Sequence, residues 1–128
     1  MTSTEDVVRR YFAVVADLGS TAEALEALLH PDAVFVEFPN AIAPDGHERD
    51  VAATMRGFIA GKQRLSSQRI DVHEILVSGE RAAVRSTWHG TIEATEVTAH
   101  MAGWVTVRDG RVLRHETYDC YEPLLLER

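Results

Sequence analysis

His115, Thr117 and Asp119 stand at alternate positions in "WVTVRDGRVLRHETYDCY", residues 104–121. Alternation puts the three polar side chains on one face of a strand, where packing alone would select Val or Ile. If that face meets solvent, they are ordinary surface residues; if it points inward, they are a site. The chemistry such a set supports is proton transfer. An imidazole beside a carboxylate favours the ionised forms of both, whereas burial favours the neutral forms, so the two influences can poise a base near neutral pH.

The turn "RDGR" gives the strand a partner. With Asp109 and Gly110 as central turn residues, Arg108 faces Arg111, and counting outward pairs Thr106 with Leu113, Trp104 with His115, Ala102 with Thr117 and His100 with Asp119. These residues then share one concave face, and Arg114 and Glu116 lie on the wet side. His100 and Asp119 form an expected dyad, with Cβ atoms roughly 5 Å apart; a buried pair that only satisfies itself is the other reading. On the opposite parity Met101, Val105, Val107, Val112 and Tyr118 form an apolar outer patch. Such a patch predicts a homodimer built across the convex face.

The elements that must hold this hairpin follow from a change of period along the chain. Val7, Val8, Tyr11, Phe12, Val15 and Leu18 recur at helical spacing behind polar caps and stop at Gly19. A shorter helix through Leu25, Leu28 and Leu29 ends before Pro31, and residues 34–38 read as a first strand closed by Pro39. After the loop "NAIAPDGH", Asp45 followed by Glu48 reads as the cap of a third helix, with Val51, Met55, Phe58 and Ile59 as its stripe and Gly61 as its end. Four strands are predicted at residues 69–77, 81–92, 97–108 and 111–121, with "SGER" and "RDGR" as turns. Helices followed by an antiparallel meander define an α+β domain whose long, curled sheet leaves a conical pocket.

The chain has 128 residues, 45% of them hydrophobic, which suits one compact domain over residues 1–128. Its net charge of -7 carries no basic stripe, which speaks against nucleic acid or an anionic membrane as partner. No segment approaches the roughly 20 apolar residues of a membrane span, and no signal sequence is evident, so a cytoplasmic protein is expected. The single cysteine, Cys120, has no disulfide partner, and the six histidines show no metal-ligand spacing, so no metal and no cofactor is expected.

The segments "VVRRYFAVV", "HPDAVFVEFP", "DGHERDVAATMRGF" and "GWVTVRDGRVLRHETYD", in this order and spacing, resemble the nuclear-transport-factor-2-like (NTF2-like) superfamily. The resemblance is to the branch of SnoaL-type polyketide cyclases, ketosteroid isomerases and limonene-epoxide hydrolases, and it covers nearly the whole chain. It implies a cone of curved sheet and three helices around a pocket for a small hydrophobic molecule. It also implies that Asp119, at the end of the closing strand, is a general acid or base.

The pattern departs from each known chemistry of that branch. Phe35 and Glu37 stand where the hydrolases carry a tyrosine and an asparagine, and Thr87 stands where they need an aspartate two residues after Arg85. Tyr11 matches the helix tyrosine that polarises the isomerase substrate, but Glu37 or Phe38 replaces the proton-shuttling aspartate and Ala102 the second oxyanion donor. What remains suits proton abstraction beside a carbonyl: Asp119 as base, His100 or His115 as its partner, Tyr11 or Arg85 as stabiliser of negative charge, and Glu37 as a second carboxylate. Arg85 has two placements open to it, inward or outward beside Glu74. Phe35, Thr117, Trp104, Phe58 and Met55 would line the substrate. Three functions follow from this: a cofactor-independent enzyme of cyclase or isomerase type on a hydrophobic carbonyl metabolite, a non-catalytic binder of a small apolar ligand, or an interaction domain with a vestigial pocket.

Overall fold

The computed structural model describes residues 2–123. Helix α1 spans Thr4–Ala16 and is capped by Ser3, whose side chain accepts from the Asp6 backbone N–H. Its apolar stripe, Val7, Val8, Tyr11 and Phe12, is buried. Helix α2 spans only Ala22–Glu26. The predicted continuation to Leu29 fails because the sheet claims the chain: strand β1 begins at Leu29, and the Val112 N–H donates to the Leu28 carbonyl at 2.8 Å. Pro31 therefore lies inside β1, Leu29–Glu37, in the stretch between Leu29 and Val34 where the pairing register shifts and a missing N–H is tolerated.

The segment expected to start the third helix forms a short strand instead. Strand β2, His47–Arg49, pairs antiparallel with β1, setting Phe35 opposite Arg49 and Glu37 opposite His47. The cap of helix α3, Val51–Arg64, is therefore Asp50, whose carboxylate accepts from the Ala53 N–H at 2.9 Å, and the helix runs through Gly61. Strands β3 (Leu65–Ser78), β4 (Arg81–Ile92), β5 (Thr95–Arg108) and β6 (Arg111–Tyr121) complete a curved, unclosed six-stranded sheet in the order β2-β1-β6-β5-β4-β3. Among the described residues only the β1–β6 pair is parallel. The α1 stripe and Leu25 pack on its concave face against Val84, Val105 and Val112. No helix among the described residues is long and apolar enough to cross a membrane.

The closing hairpin turns as expected but does not keep its register. Asp109 and Gly110 both have positive φ, 54° and 73°, and Arg108 pairs with Arg111. Beyond Val107 opposite Val112, the next pair is Thr106 with Arg114, so Leu113 is an extra, unpaired residue in β6. This bulge shifts every later partner: Asp119 faces Met101, Thr117 faces Gly103 and His115 faces Val105. The expected outer patch is corrected accordingly. Val105, Val107 and Val112 are buried in the core, and Met101 shares Asp119's side of the sheet. Tyr118 lies on the outer face as expected, 48% exposed, joined there by Trp104, 42% exposed, with Phe38 stacked on Tyr118 at 4.2 Å.

The turn between β4 and β5 has the same two-residue geometry without the residues that favour it. Glu93 and Ala94 sit at φ 50° and 70°. An L-residue with a Cβ is strained there, by about 1 kcal/mol or more. Ala94→Gly is expected to raise the thermal midpoint by about 3 to 5 °C, as measured by calorimetry. An unchanged or lower midpoint would contradict the strain.

Candidate functional site

The concave side of β6 presents His115, Thr117 and Asp119 in sequence, and β1 runs parallel beside it with Phe35 next to His115 and Glu37 next to Thr117. Two carboxylates thereby come to one end of the cone. Thr117 donates its hydroxyl proton to Asp119 Oδ1 at 2.6 Å. Glu37 has a partner on each oxygen: the Asn40 amide donates to Oε2 at 2.8 Å, and His47 Nε2 lies 3.3 Å from Oε1. Burial pushes the Asp119 pKa up, and the Glu37 charge pushes the same way, against the Thr117 hydrogen bond and the nearby His47. Tyr121 beside them is pushed up to about 12 by burial and by the charges of Asp119 and Glu37.

At the other end of the same face, Tyr11 from α1 reaches His115. Its hydroxyl oxygen and His115 Nδ1 are hydrogen-bonded at 2.7 Å, with the rings edge to face at 5.4 Å. Burial holds the His115 pKa down to about 4 and raises that of the Tyr11 phenol. Both are therefore neutral at physiological pH. Phe12, Val84, Ser86, Met101 and Gly103 enclose a chamber of about 20 Å³ against His115 and Thr117. Gly103 is required there, because a Cβ would collide with the Glu116 carbonyl oxygen across the ladder. Met55, Phe58 and Phe35 are half-buried and pack against the core that surrounds the chamber.

The structure thus brings together Asp119, Glu37, Thr117, His115, Tyr11 and Phe35, and it separates His100, Arg85 and Trp104 from them. The Leu113 bulge reverses the parity of β5 relative to Asp119, so the expected His100–Asp119 dyad does not form. His100 lies on the outer face, where its Nδ1 is 3.2 Å from Thr87 Oγ1 and its Nε2 is 2.7 Å from Glu122 Oε2. Arg85 takes the outward placement, 3.8 Å from Glu74, and Trp104 is likewise outside. His100 and Arg85 border an outer cleft of about 530 Å³ with Asp71, His73 and His89. Among the described residues, no group of three or more His, Cys, Asp or Glu is placed to hold a metal ion.

Three residues of the inner site were not singled out by sequence. Asn40 had a signal, the residue type that closes turns through its own side chain: its Oδ1 accepts from the N–H groups of Ile42 and Ala43 while its amide holds Glu37. His47 depends on the three-residue strand β2, too short to read from periodicity. Tyr121 follows from the parity of β6 and could have been read from it.

The cone of curved sheet over three helices is the NTF2-like architecture. Residues 8–115 match the family described as the SnoaL-like domain, and the chain belongs to that family. No curated protein matches it. Among solved structures it is similar to IdmH of Streptomyces antibioticus, a candidate polyketide cyclase, at 22% identity over 91% of each chain with a TM-score of 0.74. A candidate polyketide cyclase of Sinorhizobium meliloti is 27% identical over 90% of this chain and 98% of that one, with a TM-score of 0.66. A limonene-epoxide-hydrolase-like enzyme of M. tuberculosis is 18% identical over 91% of this chain and 81% of its own, with a TM-score of 0.74.

Proposed function

We propose that the chain acts, as one domain over residues 1–128, as a cytoplasmic enzyme of the cyclase or isomerase kind that moves a proton on a carbon beside, or conjugated with, the carbonyl of a hydrophobic metabolite. The observation that carries this reading is Asp119: a half-buried carboxyl on the concave face, shifted upward by burial and by a second carboxylate, beside a core of apolar side chains. A base with its pKa raised toward the working pH is the group that proton abstraction from carbon needs. Asp119 takes the proton, and Glu37, fixed by Asn40 and His47, tunes it. Neutral His115, hydrogen-bonded from behind by Tyr11, supplies a hydrogen bond to an oxygen that gains charge. The SnoaL-like family and its polyketide-cyclase neighbours support the same class of substrate.

The test needs no knowledge of the natural substrate. Incubated in D2O with a panel of hydrophobic β-dicarbonyl compounds and conjugated enones, the protein is expected to catalyse deuterium incorporation at a carbon next to the carbonyl or conjugated with it, read by mass spectrometry. Binding without exchange across the panel would replace the enzyme with a non-catalytic carrier that uses Glu37 and Asp119 only as acceptors.

The same reading includes a homodimer across the outer face, on the aromatic cluster Phe38, Tyr118 and Trp104 rather than on the valines. Sedimentation equilibrium should give a dimer at micromolar concentration, and Trp104→Glu should weaken it by about tenfold or more. A wild-type monomer would reject it.

A further inference from the structure

We infer that Tyr11 is a positioning residue that fixes His115 with its ring proton on Nε2, and that this Nε2–H is the donor for the carbonyl oxygen of a bound ligand at the deep end of the cone. The inference rests on the reading of the site as a carbonyl-processing pocket, and it assigns the oxygen-binding end of that pocket.

The hydrogen-bond inventory decides the tautomer. Tyr11 is 6% exposed, and among the described residues its hydroxyl has one partner, His115 Nδ1. If Nδ1 carried the proton and donated to the phenol oxygen, the phenol proton would be left in apolar surroundings without an acceptor. With the phenol donating, both atoms are satisfied, and the proton of the neutral imidazole resides on Nε2. The ring is also held sterically. It stands between Val105 and Phe35 in the sheet, with the Tyr11 edge on one side and Phe12 at 5.8 Å on another.

The chamber that the imidazole helps to enclose has room for about one water-sized group. Phe12, Val84, Met101 and Gly103 make it apolar. Thr117 already commits its proton to Asp119, so among the described residues the imidazole is the N–H side chain of that wall, and Ser86 is the remaining hydroxyl. A single oxygen entering there finds a fixed donor in a low-dielectric pocket, where such a donor is most effective. A neutral imidazole suits the role because it can stabilise developing negative charge without giving up its proton.

The spacing adds a property of the ligand. His115 and Asp119 are four residues apart on one strand face, about 13 Å along the backbone. A ligand touching both is elongated, and its reacting carbon is joined to the oxygen by a conjugated path. The C–H bond breaks, its proton goes to the Asp119 carboxylate, and the electron pair passes through that path to the oxygen, which accepts the hydrogen bond from His115. Asp119 then returns the proton to another carbon, and the C=O bond re-forms.

The experiment is NMR of the whole chain with 15N-labelled histidine at about pH 7, with 4-nitrophenol as the oxyanion probe. The wild type should show His115 neutral with the proton on Nε2, and the probe should shift that resonance. In Tyr11→Phe the ring should become a mixture of tautomers, and the probe should bind roughly tenfold more weakly. His115 found cationic or protonated on Nδ1, a tautomer unaltered in Tyr11→Phe, or a probe that does not bind or leaves the His115 signals unmoved would each overturn the inference. Should Tyr11→Phe not fold, the wild-type tautomer and probe shift decide alone. Failure of carbon-bound deuterium exchange, with the tautomer and probe shift as expected, would sink the catalytic reading and leave this donor site standing.

Discussion

Asp119→Asn should lower catalysed proton exchange by about 10² to 10⁴-fold while the protein stays folded. The variant keeps the shape of the side chain and an oxygen that can accept the Thr117 hydroxyl proton, but it cannot take a proton from carbon. The stability comparison separates this from a structural role. Burial and the Glu37 charge raise the Asp119 pKa above its ordinary value of 3.8 in the folded state. A carboxyl raised on folding favours the native state at low pH, and that advantage is lost as pH rises through the folded pKa. Above it, the wild type carries an ionised group in an unfavourable place, so the asparagine variant should match or exceed its thermal midpoint at neutral pH. A variant that retains full exchange, or one that loses its midpoint at neutral pH, would show that Asp119 serves the fold and not proton transfer.

The face of β6 was legible in the sequence because its own alternation of His115, Thr117 and Asp119 needs no partner to define it. The face of β5 was not. Its parity relative to β6 depends on the bulge at Leu113, a residue whose type carries no bulge signal, and one extra residue is enough to send His100, Ala102 and Trp104 outward. The Asp-Gly turn was readable because it is the dipeptide that positive φ at two positions selects. The Glu93-Ala94 turn was hidden because neither residue favours that conformation. Helix α1 was plain from its stripe, whereas α2 and α3 were misjudged at their ends because β1 and β2 take residues that local capping rules would assign to helices. With β2 unread, His47 had no partner, and Glu37 could not be recognised as a carboxylate already bound on both sides.

His115 should make the protein acid-labile in a window set by its own titration. Its folded pKa is held down to about 4 by burial, against 6.5 for the exposed group. As pH falls below 6.5 the unfolded chain takes up a proton that the native imidazole refuses, so stability present above that pH is lost progressively as pH approaches about 4. The loss by the lower limit is about 3 kcal/mol. Carboxylates titrate across the same range, but in His115→Gln they titrate as in the wild type, while the glutamine stays neutral and its carbonyl can still accept from Tyr11. The stability difference between the two proteins, taken from denaturant unfolding at pH 7 and again near pH 4, should therefore shift by about 3 kcal/mol in favour of the variant. Parallel pH profiles would mean that His115 is as easily protonated in the folded chain as in the unfolded one. Below pH 6.5 the imidazole would then be a cation able to donate from both nitrogens, Tyr11 would have to act as acceptor, and the neutral donor at the deep end of the pocket would be lost there.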